Sequence, residues 1–355
     1  MSTNNHKILL ALGAEFKNWE LIPFNVGLIN QSFIVQDLNG QARFFIQQIN
    51  TGVFNEPDKI VSNYLKIWNH LIKHPAEINI AKPISFSNEK YGFIDENNNF
   101  WRCVSYVENS KTIATISSAE QAFLTGHTFA SFTSALTGLD SNSLEPTIID
   151  FHNLSLRAKQ FNEAVATGLP KRIKQADSLI KLAMQGINYI NFFNALKVSK
   201  QDFKLRAMHH DAKIANILFD KTTNKPICPV DLDTTMPGYY FSDLGDMIRS
   251  TAATIPESSV AFNEIEINTA YYKALVDGYS SVAMKSWTDV EKKYAHAAGL
   301  LMIYMQAIRF LADYLVGDKY YKISGELDNF NRAKNQFILL EKLETYLQKE
   351  YSFKL

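Results

Sequence analysis

Residues 209–220, HHDAKIANILFD, hold the side chains whose types and spacing could do chemistry. Asp211, Lys213 and Asn216 follow His209 at an interval that suits phosphoryl transfer, just ahead of the strand-like run 217–219. In that reaction an aspartate orients the acceptor hydroxyl and takes its proton, while a lysine neutralises charge on the transferred phosphoryl oxygens. An asparagine supplies a neutral oxygen to a hard cation, which prefers oxygen ligands. The loop therefore predicts a phosphoryl-transfer site.

A second acidic position strengthens that interpretation. The pattern in residues 209–216 alone could also belong to a capped loop before a surface hairpin. Asp231, however, comes where an apolar run turns acidic, at the end of the strand expected to return from that hairpin. Asp231 is therefore the candidate second ligand of the cation, beside Asn216.

Composition limits the class of protein. The 355 residues suffice for two lobes and a core that can support a catalytic site. Lys and Arg (36) balance Asp and Glu (36), so the bulk charge favours neither nucleic acid nor an anionic membrane as a partner. Cys103 and Cys228 form no disulfide framework and no metal-binding spacing. We therefore expect a cytoplasmic protein that is a monomer or weak dimer.

Two apolar segments do not resemble a signal peptide or a membrane span. The run 8–12 is short, follows a single lysine, and has no clean cleavage pattern after it. The run 297–305 is interrupted at Gln306, well before the roughly 20 residues that cross a bilayer. Apolar positions from Tyr294 to Leu315 recur at steps of 4 and 3. The pattern predicts a buried helix at the centre of its lobe.

The order of elements predicts an α+β fold with a small β-rich N-lobe, residues 1–108, and a larger helical C-lobe, residues 109–355. Residues 32–35, 44–46 and 102–107 have the character of strands, separated by Asn/Gly clusters. Residues 58–73 carry apolar side chains at steps of 4, 3 and 4, which predicts an amphipathic helix. Within the helical half, residues 205–235 predict a short hairpin that holds the chemistry-bearing loop.

The catalytic-loop residues and the downstream stretch VDLDTTMPGYYFSDLGDMIRS resemble the aminoglycoside phosphotransferase and choline kinase superfamily, which has a protein-kinase-like bilobal fold. Within it, the sequence is most similar to the N-acetylhexosamine 1-kinases. Similar stretches run through most of the chain and include GLINQSFIV, FIQQINTGVFNEP, IIDFHNLSLRAKQFNEAV, IRFLADYLVGDKYYKI and NFNRAKNQ.

The resemblance implies roles for the central residues. Asp211 would be the catalytic base and Lys213 would meet the charge that develops on the phosphoryl group. Asn216 and Asp231 would hold Mg²⁺, with ATP as the co-substrate.

Three further residues would support the loop. His209 would be structural, its ring fixing the loop backbone, and Asp243 would brace the catalytic loop. Asp233 would either assist at the metal or hydrogen-bond its own turn, and the second role is favoured.

The nucleotide end carries weaker signals. Residues 27–32, GLINQS, are similar to the phosphate-covering loop of these kinases, so Gly27, Asn30 and Ser32 are candidate nucleotide-binding residues. A lone glycine before a strand is also typical of an ordinary turn. The linker around Glu108 would offer backbone donors and acceptors to the adenine edge.

The chain departs from the kinase pattern at one ion pair. Kinases pair a strand lysine with the phosphates and with a helix carboxylate, but the strand here offers Gln47 and Gln48. Gln48 remains the nucleotide-binding candidate, because an amide can hydrogen-bond a phosphate oxygen, though without the strength that a cation adds.

The helix likewise offers Ser62 and Asn63 instead of a carboxylate. Three outcomes follow from the missing pair: weaker nucleotide affinity, replacement by another cation such as Arg43 or Lys59, or a degenerate kinase. The intact catalytic loop argues against the last.

The acceptor end is predicted on the late helix. Arg309 and Asp313 lie one turn apart and could satisfy each other, leaving spare guanidinium donors for a ligand. By the resemblance, Arg309 and Tyr320 would contact an N-acetylated sugar, although Tyr320 could equally be a packing tyrosine. His152, isolated near a helix start, is expected to be structural or to cap that helix.

The sequence therefore predicts ATP-dependent phosphorylation of the anomeric hydroxyl of GlcNAc or GalNAc. Its partners would be the small-molecule sugar and the nucleotide. One alternative is a kinase of the aminoglycoside or choline type with another hydroxyl acceptor. The other is a pseudokinase that binds nucleotide or sugar without turnover.

Overall fold

The computed structural model describes residues 3–24 and 29–355. Tertiary contacts divide the chain into two compact units. The first, here called the sheet unit, contains residues 1–113, 135–149 and 216–237; the second, the helical unit, contains residues 114–134, 150–215 and 238–355. These units alternate along the chain, whereas the predicted lobes, 1–108 and 109–355, are consecutive, and the lobe bounds stay a prediction.

Helices and strands are mixed, which confirms the α+β class. The helices are α1 (Thr3–Leu12), α2 (Pro57–Lys73), α3 (Ala119–Ala135), α4 (Leu154–Thr167), α5 (Pro170–Gln175), α6 (Asp177–Met184), α7 (Ile187–Val198), α8 (Phe241–Thr251), α9 (Thr269–Ala283), α10 (Asp289–Lys293), α11 (Ala297–Leu315) and α12 (Asp328–Tyr351). The strands are β1 (Glu20–Pro23), β2 (Gln31–Gln36), β3 (Ala42–Ile49), β4 (Pro83–Ile84), β5 (Gly92–Ile94), β6 (Phe100–Ser105), β7 (Ser110–Lys111), β8 (Arg206–Met208), β9 (Ile217–Asp220), β10 (Pro226–Pro229) and β11 (Met236–Gly238).

Six strands of the described ranges form an antiparallel sheet in the order β1-β2-β3-β6-β4, with β5 also paired to β6. The register places Gln47 opposite Ser32 on one neighbour and Arg102 on the other. Gln48 lies opposite Trp101. Because successive side chains of a strand point to opposite faces, Ser32, Gln47 and Arg102 share one face of the sheet and Gln48 shares the other with Trp101.

Each face of the sheet has its own apolar core. On the Trp101 face, strand residues pack with Ile8, Leu9 and Leu12 of α1. On the other face, Ile49 and Phe100 pack with residues that include Ile60 of α2. Helix α2 begins with Pro57 in its first turn, as predicted, and buries its apolar stripe. The predicted hairpin is also confirmed, since β9 and β10 pair antiparallel with β7 on the far side of β9.

Helix α11 lies at the centre of the helical unit and packs against α4, α8 and α12. By length and composition it is the one helix among the described residues that could cross a membrane, but 89% of its apolar stretch is buried inside the protein. Core helices of globular proteins have this character. The predicted buried helix is confirmed.

Helices α3 and α9 approach each other through two glycines. A Cβ on Gly126 would lie 2.3 Å from the carbonyl oxygen of Leu275, and a Cβ on Gly278 would lie 2.1 Å from that of Phe123. A side chain at either position would therefore collide with backbone. The contact matters for the candidate site because α3 also carries Phe129, whose ring packs against His209.

We predict that Gly126→Ala lowers the free energy of unfolding by about 1–3 kcal/mol, the usual cost of overpacking a core. The higher helix propensity of alanine offsets only part of that cost. Urea unfolding followed by circular dichroism measures the change. Ser134→Ala, at an exposed position of the same helix, is the matched control. An unfolding midpoint that Gly126→Ala leaves unchanged would contradict the close approach.

Candidate active site

The backbone of the predicted catalytic loop is held by Asp243, in the first turn of α8. One carboxylate oxygen accepts a hydrogen bond from the amide N–H of His209 at 3.0 Å, and the other accepts from that of His210 at 2.7 Å. The Asp243 side chain is fully buried. The pKa of Asp243 is raised to about 7, chiefly by burial and also by the negative charges of Asp246 and Asp211, while the two amide donors lower it.

The two histidines ahead of Asp211 have structural contacts. The His209 ring packs edge-on against Phe129, with ring centroids 5.0 Å apart, and its Nδ1 accepts from the amide of Asp211 at 3.3 Å. His210 has a positive φ of 64°, and its ring Nδ1 donates to the carbonyl of Met208 at 3.0 Å. Together with Asp243, these contacts determine the path of the backbone that leads to Asp211.

Asp211 and Lys213 form an ion pair. The ammonium of Lys213 lies 2.8 and 3.0 Å from the two carboxylate oxygens of Asp211. Both side chains are partly exposed, at 31% for Asp211 and 41% for Lys213. The base and the cation predicted for phosphoryl transfer therefore lie together, within reach of a ligand.

A partly buried ionic chain, which the sequence did not reveal, continues from this point. Burial raises the pKa of Asp246, Arg249 opposes that rise, and the charge of Asp211 adds to it. The Arg249 guanidinium binds both Asp246 and Glu257, and Glu257 in turn binds Arg332. The chain links the surroundings of Asp211 to helix α12.

The two predicted metal ligands lie at the open end of the β9–β10 hairpin. Ile217 pairs with Pro229, and the amide of Val230 donates to the carbonyl of Asn216 at 2.9 Å. Asn216 is 7% exposed, while Asp231 is exposed and has left-handed backbone angles, φ 59° and ψ 53°. Their amide and carboxylate oxygens are ligands that Mg²⁺ accepts.

A hydrogen bond between Asp233 and its own turn was the favoured prediction, but among the described residues the partners of its side chain are Arg102 and Asn30. Its buried carboxylate forms an ion pair with Arg102 of β6 and accepts from the side-chain amide of Asn30 at 2.7 Å. The prediction failed because the partners come from strands and loops more than 100 residues earlier. Asn30 thus contacts the segment of the predicted metal ligand directly.

The face of the sheet that carries Arg102 also carries two polar partners. The side-chain oxygen of Gln47 accepts from Arg102 at 2.7 and 3.1 Å, and its amide group donates to the hydroxyl of Ser32 at 3.0 Å. Gln48 lies on the opposite face, with Trp101. The nucleotide-binding role of Gln48 stays a prediction, and Gln47 is the glutamine that contacts Arg102.

The two cations considered as replacements for the strand lysine are engaged elsewhere. Arg43 pairs with Asp37 at 2.7 Å, and Lys59 pairs with Glu56 within its own helix. Arg102, which the sequence analysis passed over, is the buried cation on the relevant face. The strand register places Arg102 on this face, opposite Gln47.

Gly27 and Glu108 are the two other predicted nucleotide-binding residues. Gly27 lies outside the described residues. Glu108 is exposed, and its carboxylate accepts from the Gln41 side chain at 3.4 Å. The turn that follows is closed by Ser110, whose hydroxyl donates to the carbonyl of Val107 at 2.6 Å.

The predicted acceptor residues lie in an aromatic cluster of the helical unit. The guanidinium carbon of Arg309 is 5.8 Å from the ring centroids of Phe151 and Tyr320 and 5.6 Å from that of Tyr321. One guanidinium nitrogen donates to the Gln306 side chain at 3.0 Å. Tyr320 is 67% exposed, so it is not a packing tyrosine.

The expected pairing of Arg309 with Asp313 is wrong. The Asp313 carboxylate accepts from the amides of Lys319, Tyr320 and Tyr321, each at 2.9 Å. The spacing of one turn allowed either arrangement, and three backbone donors satisfy the buried carboxylate of Asp313 better than one half-buried cation. Asp313 therefore holds the loop that presents Tyr320.

His152 lies beside the same cluster. Its ring stacks on Phe151 at 4.5 Å and is 5.3 Å from the ring of His210. Burial, followed by the positive charges of His210 and Arg309, holds the pKa of His152 well below its ordinary value, so the ring is neutral near pH 7. The cap of α4 is Asn153, whose side chain accepts from the amide of Leu156.

Comparison with known proteins shows the family of the chain. The sequence profile described as the phosphotransferase enzyme family matches residues 20–285, well over half of the chain. The chain belongs to the phosphotransferase enzyme family. The catalytic loop, the hairpin and the Asp243 helix all lie within the matched range.

Solved structures of similar fold include other phosphotransferases. The microcompartment-associated aminopropanol kinase is 13% identical, with 98% of each chain covered and a TM-score of 0.66. An aminoglycoside phosphotransferase from Alicyclobacillus acidocaldarius is 11% identical, with 92% of each chain covered and a TM-score of 0.62. Choline kinase from Cryptosporidium parvum is 14% identical, covers 94% of this chain and 90% of its own, and has a TM-score of 0.51. The predicted protein-kinase-like fold of this phosphotransferase family is confirmed.

Asp243 gives this phosphotransferase a pH-dependent stability. Since its pKa is raised to about 7, the folded state keeps a proton that the unfolded chain releases above about pH 4. Its contribution to stability is therefore greatest below about pH 4, falls as the pH rises to about 7, and is constant above that. We predict that the free energy of unfolding of the wild type, minus that of Asp243→Asn, falls across this window.

Urea unfolding at several pH values between about 4 and 8 measures that difference. Asp289→Asn is the matched control, because its side chain is fully exposed and it removes a charge without touching the loop. A difference between wild type and Asp243→Asn that stays constant over the window would refute the assignment.

Proposed function

We propose that the protein is an ATP-dependent kinase that phosphorylates the anomeric hydroxyl of an N-acetylhexosamine, GlcNAc or GalNAc, to give the 1-phosphate. Membership of the phosphotransferase family supports the reaction type. Among structures of similar fold, the spectinomycin and APH(2'')-Ib phosphotransferases are described as ADP complexes, which supports an adenine nucleotide as donor.

The catalytic part of the proposal rests on Asp211 and Lys213. Asp211 would orient the acceptor hydroxyl through a carboxylate oxygen and take its proton as the hydroxyl oxygen attacks the γ-phosphorus of ATP, while the bond to the β,γ-bridging oxygen breaks and ADP leaves. Lys213, now held on that carboxylate at 2.8 Å, would turn to the phosphoryl oxygens as their charge develops. Most of the acceleration would come from positioning and electrostatic stabilisation.

The metal part of the proposal rests on the chemistry of the donor set. Asn216 and Asp231 offer an amide and a carboxylate oxygen from adjacent ends of one hairpin, and Mg²⁺ is commonly held by one or two carboxylates together with substrate phosphates. They would hold Mg²⁺, which supplies neutralisation of the β- and γ-phosphate charge when bound. Asn216 is kept in place by the bond between its own carbonyl and Val230.

The choice of acceptor rests on one observation, the Arg309 guanidinium among the rings of Phe151, Tyr320 and Tyr321. Guanidinium carries five N–H donors, and among the described residues its hydrogen bond goes to the neutral Gln306. The remaining donors suit the carbonyl of an acetamido group or sugar hydroxyls, and aromatic rings suit the apolar face of a sugar. A cation here would repel an ammonium-bearing acceptor.

A second candidate is a kinase of the amino-alcohol or aminoglycoside type. The names of the structural neighbours favour it, since they include aminopropanol, choline and ethanolamine kinases. The charge of Asp211 raises the pKa of Asp246, so the two carboxylates are near each other. Asp246 could attract an ammonium group, although it already binds Arg249. A pseudokinase is disfavoured, because Asp211, Lys213, Asn216 and Asp231 are all present.

We predict that Asp211→Asn lowers kcat at least about 100-fold, as expected for loss of a general base, while the fold is kept. A coupled ADP-release assay across N-acetylhexosamines, amino alcohols and aminoglycosides measures turnover and identifies the acceptor. Asp177→Asn, an exposed carboxylate on α6, is the matched control.

Near-normal turnover by Asp211→Asn would overturn its role as base. Turnover of amino alcohols but not of N-acetylhexosamines by the wild type would favour the second candidate. Thermal stabilisation by ATP without turnover of any acceptor would favour the pseudokinase.

We also predict that Arg309→Met raises KM for the N-acetylhexosamine about 10- to 100-fold, the effect of losing a charge-assisted hydrogen bond. KM for ATP should change little, because the nucleotide is not expected to contact this cluster. Steady-state kinetics with each substrate varied in turn measures both constants. Lys319→Met, next to Tyr320 and exposed, is the control, and an equal rise in both KM values would argue against an acceptor contact.

A further inference from the structure

We propose that the buried ion pair between Arg102 and Asp233 is a positioning device for Asp231 and thereby sets the affinity of the sheet unit for its divalent cation. The inference rests on the proposed function, since it takes Asp231 as a metal ligand. Arg102 thereby supplies a buried cation on the sheet, where other kinases use a strand lysine to bind the phosphates and a helix glutamate.

The strand cation lies one strand away from where kinases carry it. Gln47 occupies the relevant face of β3 but bears no charge, and Arg102 lies directly opposite it on β6. Two nitrogens of Arg102 donate to the Gln47 oxygen, at 3.1 and 2.7 Å, and a third binds Asp233. Gln47 therefore orients the guanidinium, and Arg102 directs its charge at the segment that follows Asp231.

Because the Arg102–Asp233 ion pair is buried, it restricts the position of Asp233. The side chains of Arg102 and Asp233 are 8% and 3% exposed. Moving either partner away would leave a buried charge without compensation, which is far more costly than losing a surface ion pair. Asn30 adds a second hydrogen bond to the Asp233 carboxylate at 2.7 Å. Asp233 is thus confined to one place relative to the sheet.

Helix α2 holds the same segment by a neutral contact. The amide of Asn63 donates to the carbonyl of Thr235 at 3.1 Å and to that of Glu145 at 2.7 Å, and its oxygen accepts from the amide of Glu145 at 2.8 Å. Asn63 is 1% exposed. Residues 233–235 are therefore anchored through a side chain to β6 and through the backbone to α2.

Asp231 needs this anchoring because of its backbone. Its left-handed conformation, φ 59° and ψ 53°, costs less in aspartate than in most residues with a Cβ, but it is still less favourable than extended or helical backbone and needs support from its surroundings. On one side the Val230 amide is tied to Asn216 at 2.9 Å. On the other side Leu232 is buried, and Asp233 is held by its ion pair with Arg102. Loss of Arg102 would release that side, and Asp231 would relax away from the end of the hairpin that it shares with Asn216.

The test is binding of Mn²⁺ to the full-length protein at saturating ADP, followed by electron paramagnetic resonance, with thermal unfolding measured in parallel. We expect Arg102→Gln to weaken Mn²⁺ binding about 10- to 100-fold, the range for loss of a residue that orients a metal ligand. Arg43→Gln is the matched control, because Arg43 is also ion-paired on the sheet, to Asp37. It should leave Mn²⁺ affinity unchanged.

A double variant separates positioning from stability. Arg102→Met with Asp233→Asn leaves no buried charge unpaired, so the melting temperature should return towards that of the wild type, while Mn²⁺ affinity stays reduced. Arg102→Lys, which keeps a charge for Asp233, should recover part of the affinity.

A double variant with wild-type Mn²⁺ affinity would overturn the inference. A rise in affinity in Arg102→Gln would also overturn it, since that would mean that Arg102 withholds Asp233 from the metal. Absence of Mn²⁺ binding by the wild type with ADP would instead overturn the proposed function.

Discussion

The hydrogen bonds that the Asp243 carboxylate accepts from the amides of His209 and His210 are the contact on which the candidate site depends. Burying a carboxylate is costly, and two backbone donors offset part of that cost here. These contacts hold the backbone that leads into the predicted catalytic loop in one conformation. The His209 ring also packs against Phe129, which supports the same backbone on its apolar side. Asp211 can therefore be partly exposed without being loosely placed, because its backbone is set by groups that are fully buried.

In the sheet unit, a different set of charged and polar side chains holds residues 233–235 in place. Gln47 and Asn63 stand on the strand and helix where a lysine and a glutamate would be expected, and the buried charges are those of the Arg102–Asp233 pair nearby. Although this chain lacks the strand lysine, it has a buried cation, Arg102, near the segment predicted to bind the metal. The distinction matters for assigning activity, because the missing pair was the main argument for a degenerate kinase.

Local patterns predicted the local structure well. Alternation in β2 and β3, the helical period of α2 and α11, and the spacing from His209 to Asn216 each involve residues that are near one another in sequence, and each predicted element is present. The interactions that the sequence did not reveal are long-range. Arg102 and Asp233 meet only through strand register, and the chain from Asp246 to Arg332 spans several helices. Asp313 shows a third limit: a carboxylate one turn from an arginine can serve either that arginine or a loop that follows, and periodicity does not distinguish the two.

The left-handed backbone at residue 231 narrows which side chains this position tolerates. Asparagine and aspartate enter that conformation more readily than other residues with a Cβ, and of these two only aspartate brings a negative charge. A glutamate would keep the charge, yet it would add backbone strain and carry its carboxylate one methylene further out. Charge and chain geometry are coupled at this one residue, so the exchange of one acid for the other, usually regarded as mild, is a severe substitution here.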